Sequence, residues 1–392
     1  MRAALWALGL AACAAPSARV PTRVSPKVDA GPEPRATPTA SAKAAPPSLE
    51  IVLGGFAACL LRRGALHCWK RDAAVTPPLA KAVAPMPGLD GVTRVGFGYG
   101  HVCALAKGGR VFCWGENEYG QLGVGSAEAR RGAPERVPGI EGATDLAVGL
   151  FHTCALTGDR RVTCWGWNRN GQTGSDTEYA PAARELVLPE IVPGLTGALA
   201  IHAGRNHTCA RTPRGWECFG SAQFESQRAR IGGQSPEPAP VEDLAEFASL
   251  AMHDETACGV TSSGVACYGS GAFSLLVDRP MRTERPIPVA VAGATSVAVG
   301  SYHACAITQR GRVVCWGLDT DGRLGRGRVI EGYEPNPPEE VAGLSGVRSL
   351  ALDATGTCAL TVKDELYCWG ALPHLPADPQ APKASPVRIA VE

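Results

Sequence analysis

Fourteen of the chain's 15 cysteines fall into pairs nine or ten residues apart, and each pair is followed at once by an aromatic residue. The pairs are Cys59/Cys68, Cys103/Cys113, Cys154/Cys164, Cys209/Cys218, Cys258/Cys267, Cys305/Cys315 and Cys358/Cys368. The aromatics are Trp69, Trp114, Trp165, Phe219, Tyr268, Trp316 and Trp369. His101, His152, His207 and His303 each stand two residues before the first cysteine of a pair. Three chemistries are open to such a set. Two thiolates and an imidazole can hold zinc, although these spacings differ from the usual Cys-x-x-Cys knuckles. Reduced cysteine can act as a small buried apolar residue. Cysteines opposed on antiparallel strands lie about 4.5 or 5.5 Å apart at Cα, within disulfide reach. In an exported chain the oxidising compartment favours this last chemistry. We therefore expect seven disulfides, no metal and no cofactor.

The unpaired cysteine is Cys13. Arg2, the apolar run 3–10 and Leu10-Ala11-Ala12-Cys13 read as an export signal. The Leu-Ala-Ala-Cys ending resembles the lipobox of bacterial lipoproteins, in which the cysteine becomes the lipid-bearing first residue. The resemblance implies anchoring to the cell envelope, and Ala14 in place of Asp implies the outer membrane. Residues 14–48 carry eight prolines and no aromatic residue, too little apolar surface to offset the entropy of ordering. They read as a tether. Elsewhere no apolar run is long enough to span a bilayer. The 38 Lys+Arg and 37 Asp+Glu nearly cancel, which argues against an electrostatic grip on nucleic acid. Membrane contact would then come only through lipid on Cys13.

The elements that position these residues repeat. CALAKGGRVFCWG (103–115), CALTGDRRVTCWG (154–166) and CAITQRGRVVCWG (305–317) are versions of one phrase, and four weaker copies complete seven units spaced 44 to 55 residues apart. In each, short alternating strands are punctuated by glycine, as in 295–299, 303–308 and 312–316. Opposing Cys305 and Cys315 leaves Gln309-Arg310-Gly311 as a three-residue hairpin loop, with glycine at its left-handed third position. Lys107-Gly108-Gly109 fits the same turn. Arg160 does not, and predicts a turn of different build. Fourth strands are suggested by Pro189–Leu195 and Ser385–Val391. Length alone would suggest two or three domains. Seven four-stranded antiparallel units instead describe one all-β fold, a seven-bladed β-propeller over 49–392. We expect it to be a monomer.

The phrase His-x-Cys-Ala-Leu…Val-x-Cys-Trp-Gly-x-Asn-x-x-Gly-Gln-x-Gly resembles the regulator of chromosome condensation repeat, which folds as such a propeller. The likeness is clear around Cys103, Cys154 and Cys305 and degraded in the other four units. The family's exported bacterial branch includes a β-lactamase inhibitory protein, similar in being a secreted binding propeller. Guanine-nucleotide exchange is the activity of the eukaryotic namesake, but an exported chain would not meet a cytosolic GTPase.

In an up-and-down blade, the loops joining strands one to two and three to four emerge at one end. The first set carries Phe56, Tyr99, Phe151 and Tyr302, and the second Tyr119, Trp167, Phe224 and Phe273. Arg169, Arg205, Arg323, Asp254 and Glu255 lie in the same loops. Such types are enriched at interface hot spots, although rings there can also finish the core against a neighbouring blade. No nucleophile elbow, His-Glu-x-x-His or phosphate loop occurs. Asp319-Thr320-Asp321-Gly322 has the wrong glutamate spacing for a calcium loop and aligns with Asn-x-x-Gly turns elsewhere. We expect a module that binds another protein or a surface glycan and catalyses no reaction. Alternatives are an inhibitor-like binder of a cell-wall or β-lactam-processing enzyme, and a hydrolase or lyase acting on polysaccharide.

Overall fold

Each expected hairpin forms, and the two cysteines of every pair stand opposite one another in the register of neighbouring strands. All seven disulfides close. Cys59–Cys68, Cys154–Cys164, Cys209–Cys218, Cys258–Cys267, Cys305–Cys315 and Cys358–Cys368 have Cα–Cα separations of 4.1 Å, and Cys103–Cys113 of 4.2 Å. These spans lie a little below the 4.5 Å of the closer kind of opposed pair. Cys218, Cys267 and Cys368 are buried with their partners, whereas Cys68 in the first hairpin is only partly buried. The computed structural model describes residues 49–54, 57–70, 85–128, 130–175, 186–221, 234–254, 256–269, 283–330, 332–372 and 383–389. Cys13, the tether 14–48, Phe56, Phe224, Glu255, Phe273 and the side chain of Trp69 lie outside these.

Seven antiparallel meanders follow in chain order. Blade 1 runs from Leu49 to Lys70, blade 2 from Arg94 to Arg136, blade 3 from Ala143 to Thr196 and blade 4 from Ala200 to Pro240. Blade 5 runs from Ser249 to Val289, blade 6 from Ala294 to Glu340 and blade 7 from Val347 to Ile389. Six blades have four strands. Blade 1 has three among the described residues. The fourth strands occupy Leu186–Thr196 in blade 3 and Lys383–Ile389 in blade 7, close to the stretches expected from sequence. Among the described residues no helix is long and apolar enough to cross a membrane.

One expectation is corrected. The turn at Arg160 is built like its glycine counterparts: Arg160 adopts φ 63°, beside 72° at Gly109 and 63° at Gly311. Its N–H donates to Thr157 O at 2.9 Å, as Gly109 donates to Ala106 O and Gly311 to Thr308 O. Beside it, Asp159 accepts from the Thr157 hydroxyl at 2.5 Å and from Arg161 Nε at 2.6 Å. Asp364 occupies the same conformation in blade 7, at φ 60°.

The sheets pack through the aromatic that follows each second cysteine. Trp165 of blade 3 is buried among Cys103, Cys113, Leu105 and Leu122 of blade 2. Trp369 of blade 7 lies likewise on Cys305, Cys315 and Leu324 of blade 6. Trp114 packs with Cys59 and Cys68, Tyr268 with Cys209 and Cys218, and Trp316 with Cys258 and Cys267. Phe219 repeats the contact on Cys154 and Cys164. A disulfide in one blade is thus the floor under the next blade's ring, as the recurrence of these aromatics implies. Among the described residues the circle closes without a shared strand. Leu49, Ile51 and Leu53 pack with Cys358, Cys368, Leu360 and Ile389, and an Arg348 Nη donates to Leu49 O at 2.6 Å.

Candidate functional site: the axial mouth and its aromatic shelf

The turn between the first and second strands sets the site. In blades 2, 3, 4 and 6 it reads Gly-x-x-His, at Gly98/His101, Gly149/His152, Gly204/His207 and Gly300/His303. The glycine is required because the imidazole lies directly beneath it: a Cβ on Gly149 would collide with His152 and stand 2.7 Å from Gly204 O. Each histidine is buried, and three reach the next blade. His101 Nε2 meets Thr153 Oγ1 at 3.2 Å, His152 Nε2 meets Thr208 at 2.9 Å, and His303 Nε2 meets Thr357 at 2.7 Å. Those hydroxyls already donate to Gln121 O, Gln172 O and Arg323 O. The imidazole must therefore be the Nε2–H tautomer that donates to the hydroxyl oxygen. Gln121 O and Arg323 O also accept the indole N–H of Trp165 and Trp369, at 2.9 and 2.8 Å. Burial pushes His101 and His152 down to about 3 and His207 to about 4, so the ladder is neutral. These histidines serve interblade packing, and the neighbouring cysteines are in disulfides. None of the fourteen bridged cysteines, from Cys59–Cys68 to Cys358–Cys368, lines the axial cavity described below. Among the described residues no cluster of His, Cys, Asp or Glu is arranged to hold a metal.

Three blades depart from this turn: blade 1 keeps the glycine as Gly54 but has Ala57 at the histidine position, and blades 5 and 7 change both. In blade 5 the glycine position holds His253 and the histidine position Thr256, with His253 and Thr256 directly paired. In blade 7 the positions hold Asp353 and Gly356. The Asp353 carboxylate folds back to accept the N–H of Thr355 and of Gly356, at 2.7 and 2.8 Å. Leu372 fills the space a histidine would take. Beside His253, Asp254 is held at φ 49°, rare for a residue with a side chain. Its carboxylate stands 3.3 Å from His253 Nδ1. The hydrogen bond from His253, with the Arg205 charge and Ser301 adding to it, holds the Asp254 carboxyl below its ordinary range.

These turns surround a cavity of about 600 Å³ on the ring axis. All seven blades contribute to its lining. Leu53, Phe97 and Leu150 form an apolar wall from blades 1, 2 and 3, whereas Arg205, His253, Asp254, Ser301 and Asp353 form a polar wall from blades 4 to 7. Glu116 stands on the apolar side's rim. Main-chain bonds link consecutive turns around half the mouth. Tyr99 N–H donates to Leu150 O at 2.8 Å, Leu150 N–H to Arg205 O at 3.4 Å, and Arg205 N–H to Asp254 O at 2.7 Å.

An aromatic shelf adjoins the cavity. Tyr99, 63% exposed, meets Phe151 edge-on at 5.6 Å. Phe151 contacts Tyr119 at 5.0 Å and Trp167 at 5.1 Å, and Tyr119 stacks on Trp167 at 5.1 Å. The two sets of loops thus meet at one end, as the strand order requires. Arg169 and Arg205 are exposed there. Tyr302, 46% exposed, lies apart from the shelf over the Arg323 guanidinium. Arg323 itself is only 4% exposed. It donates to Thr320 Oγ1 and Asp321 of its own loop and to Ala354 O of blade 7, so it ties the two together and is not presented to solvent. Asp319 accepts the Leu324 N–H at 2.9 Å, as Asn117 accepts that of Leu122 at 3.0 Å, which makes this a turn like its counterparts. His253 and Asp353 were missed in the sequence because no motif surrounds them. Alignment of the seven turns on their Gly-x-x-His positions would have found both.

Models of the regulator of chromosome condensation (RCC1) repeat match residues 108–156 and, in a second form, 92–121, 143–172 and 294–323. These are the turns and hairpins of blades 2, 3 and 6. The ultraviolet-B receptor UVR8 of Arabidopsis thaliana is 27% identical over 285 residues, 67% of this chain and 62% of that protein. The probable E3 ubiquitin-protein ligase HERC4 of Homo sapiens is 26% identical over 253 residues, 62% of this chain. That match spans only 19% of HERC4's own length. Two solved structures share the fold. Human WBSCR16 superposes with a TM-score of 0.65 at 20% identity, covering 81% of this chain and 87% of that one. Prp20p of Saccharomyces cerevisiae superposes with a TM-score of 0.62 at 19% identity, covering 80% and 83%. Repeat phrase, blade topology and family matches agree that this chain carries RCC1-type repeats, matched in blades 2, 3 and 6, on a propeller fold.

Proposed function

We propose that this protein is an exported, lipid-anchored binding module that captures a protein partner with the loop end of its propeller. The observation that carries this is the shelf of exposed Tyr99 and partly buried Tyr119, Phe151 and Trp167 beside an open axial cavity. Rings of this kind supply much contact area at low entropic cost, and here they sit on a frame closed by disulfides. Among relatives, the Prp20p structure is described with its binding to Gsp1p and histones, and another with Kap60 bound to yeast RCC1. Protein capture is therefore a use to which this fold is put. The E3 ligase named for HERC4 belongs to a protein about five times longer than the shared stretch, and lends no reaction to this chain. A polysaccharide-cleaving enzyme is a weaker reading, since the Asp353 carboxylate at the mouth is turned onto its own loop.

Capture by chemical crosslinking on intact cells tests the proposal, with wild type beside a Tyr119→Ala/Trp167→Ala variant shown by circular dichroism to be folded. A partner held by wild type and lost by the variant is the expected result. Equal capture by both would make the shelf a packing feature. For the anchor, fatty-acid labelling should mark wild type and spare Cys13→Ala. Labelling of neither would remove the anchor from the proposal.

A further inference from the structure

We infer that the axial cavity receives one basic side chain, an arginine or lysine at the tip of the partner's loop. This rests on the docking reading above and adds the chemistry of the anchor. The cavity's volume of about 600 Å³ lies within the range of small-ligand sites, large enough for one long side chain with the end of its loop. Its two walls are unlike. Leu53, Phe97 and Leu150 offer an apolar surface to a hydrocarbon stem, and Asp254 and Glu116 offer carboxylates to a cationic head. Arginine and lysine are the side chains built that way, apolar along the stem and charged at the tip.

Charge points the same way. Three carboxylates line the cavity against the single guanidinium of Arg205. Asp353 is turned onto its own loop, which leaves Asp254 and Glu116 as the direct acceptors. Asp254 already stands 3.3 Å from His253 Nδ1, but a carboxylate carries about four lone-pair positions and can take a further donor. A guanidinium matches carboxylate geometry with two parallel bonds, and the Tyr99 ring at the rim can meet the cation with its face. An acidic anchor would meet net repulsion. A wholly apolar one would bury these polar groups without partners, which burial penalises at every group left unpaired.

The mouth is also built before any partner arrives. Main-chain bonds from Tyr99 through Leu150 and Arg205 fix its arc up to Asp254, and Asp254 is kept in a left-handed conformation that the surrounding structure must enforce. Backbone strain of this sort persists where a side chain has to be aimed.

The test is a titration of the full exported chain with Nα-acetyl-arginine methylamide, followed by backbone amide shifts and calorimetry. The uncharged isostere Nα-acetyl-citrulline methylamide and the acidic Nα-acetyl-aspartate methylamide serve as comparisons. We expect the arginine probe to shift the amides of Gly98, Leu150, Gly204 and Ser301, and to bind at least about tenfold more tightly than either comparison, as a charge-assisted pair should. Asp254→Asn/Glu116→Gln should weaken it about tenfold or more, whereas Val362→Ser, at an exposed site in the turn between the second and third strands of blade 7, should leave it unchanged. Equal binding of citrulline, preference for aspartate, or no saturable shift at the mouth would overturn the inference, and these outcomes need only wild type. The two proposals fail separately. A crosslinked partner lost by the shelf variant but kept by Asp254→Asn/Glu116→Gln would leave docking standing and remove the anchor.

Discussion

Blade 3 and blade 5 share a disulfide hairpin, a buried aromatic and four strands, yet they use the same turn in different ways. In blade 3 the turn is Gly149 over His152, and the imidazole is spent on Thr208 of the next blade. In blade 5 the glycine is replaced by His253, the buried imidazole by Thr256, and Asp254 takes a left-handed backbone at the mouth. The conforming blade gives its polar group to the neighbouring sheet, while the departing blade offers its own to the axis. A repeat that matches the family's phrase holds the ring together, and one that departs from it is free to carry the site. Blade 7 also replaces the glycine, with Asp353, but there the carboxylate is spent on the N–H groups of its own loop.

If the conforming turns are structural, acid should reveal them most strongly. Their histidines are neutral when folded, held down to about 3 or 4 by burial, and ionise below about 6.5 when unfolded. Above that pH both states are neutral and stability is flat with respect to them. Between about 6.5 and 4 the unfolded chain binds more protons, so stability falls as pH falls. The slope is up to about 1.4 kcal/mol per pH unit for each such histidine. Denaturant unfolding at a series of pH values should show it, and His152→Gln should reduce it. An unchanged slope would remove the ladder from the account.

Trp165→Ala comes next in size. It empties a fully buried site between blades 2 and 3 and leaves Gln121 O without its indole donor, a loss of about 3–5 kcal/mol by equilibrium unfolding. Replacing Cys154 and Cys164 together by alanine should cost less, at most about 2–3 kcal/mol for a loop of this size. A larger loss from the cysteine pair than from the tryptophan would invert our view of what joins the blades.

The two turns themselves give the sharpest contrast. Gly149→Ala drives a methyl into His152 and should destabilise by about 1–3 kcal/mol, with any effect on binding following from stability. Asp254→Gly relieves a strained backbone and should leave stability within about 1 kcal/mol of wild type. Partner capture should nevertheless fall. If Asp254→Gly unfolds the ring, or captures as wild type does, blade 5 is only another structural repeat.

Much of this was legible residue by residue. Cys154 and Cys164 are ten apart with a turn between them, which leaves antiparallel opposition as the economical arrangement. Cys218, Cys267 and Cys368 were legible in the same way even where the phrase around them is degraded, because the spacing to the first cysteine is kept. Trp165 recurs in kind after every second cysteine, as a packing residue must. Arg160 was misread because the turn closes through its main chain, Arg160 N–H to Thr157 O, without a glycine at the left-handed position. His152 was legible as buried but not as donating to Thr208, 56 residues away. Arg323 has the composition of a contact residue, and only its neighbours Ala354 and Asp321 show that it ties its loop to blade 7.

By itself, the sequence determined the number of blades, the disulfide hairpins, the interblade aromatics and the end at which the loops gather. Each follows from periodicity or from chemistry between residues close along the chain. Tertiary structure alone decided which side chains face the axis. His253, Asp254, Arg205 and Glu116 come from three blades and become neighbours only when the ring closes. No local pattern records that closure, because the packing of Leu49, Ile51 and Leu53 on blade 7 brings together residues some 300 positions apart.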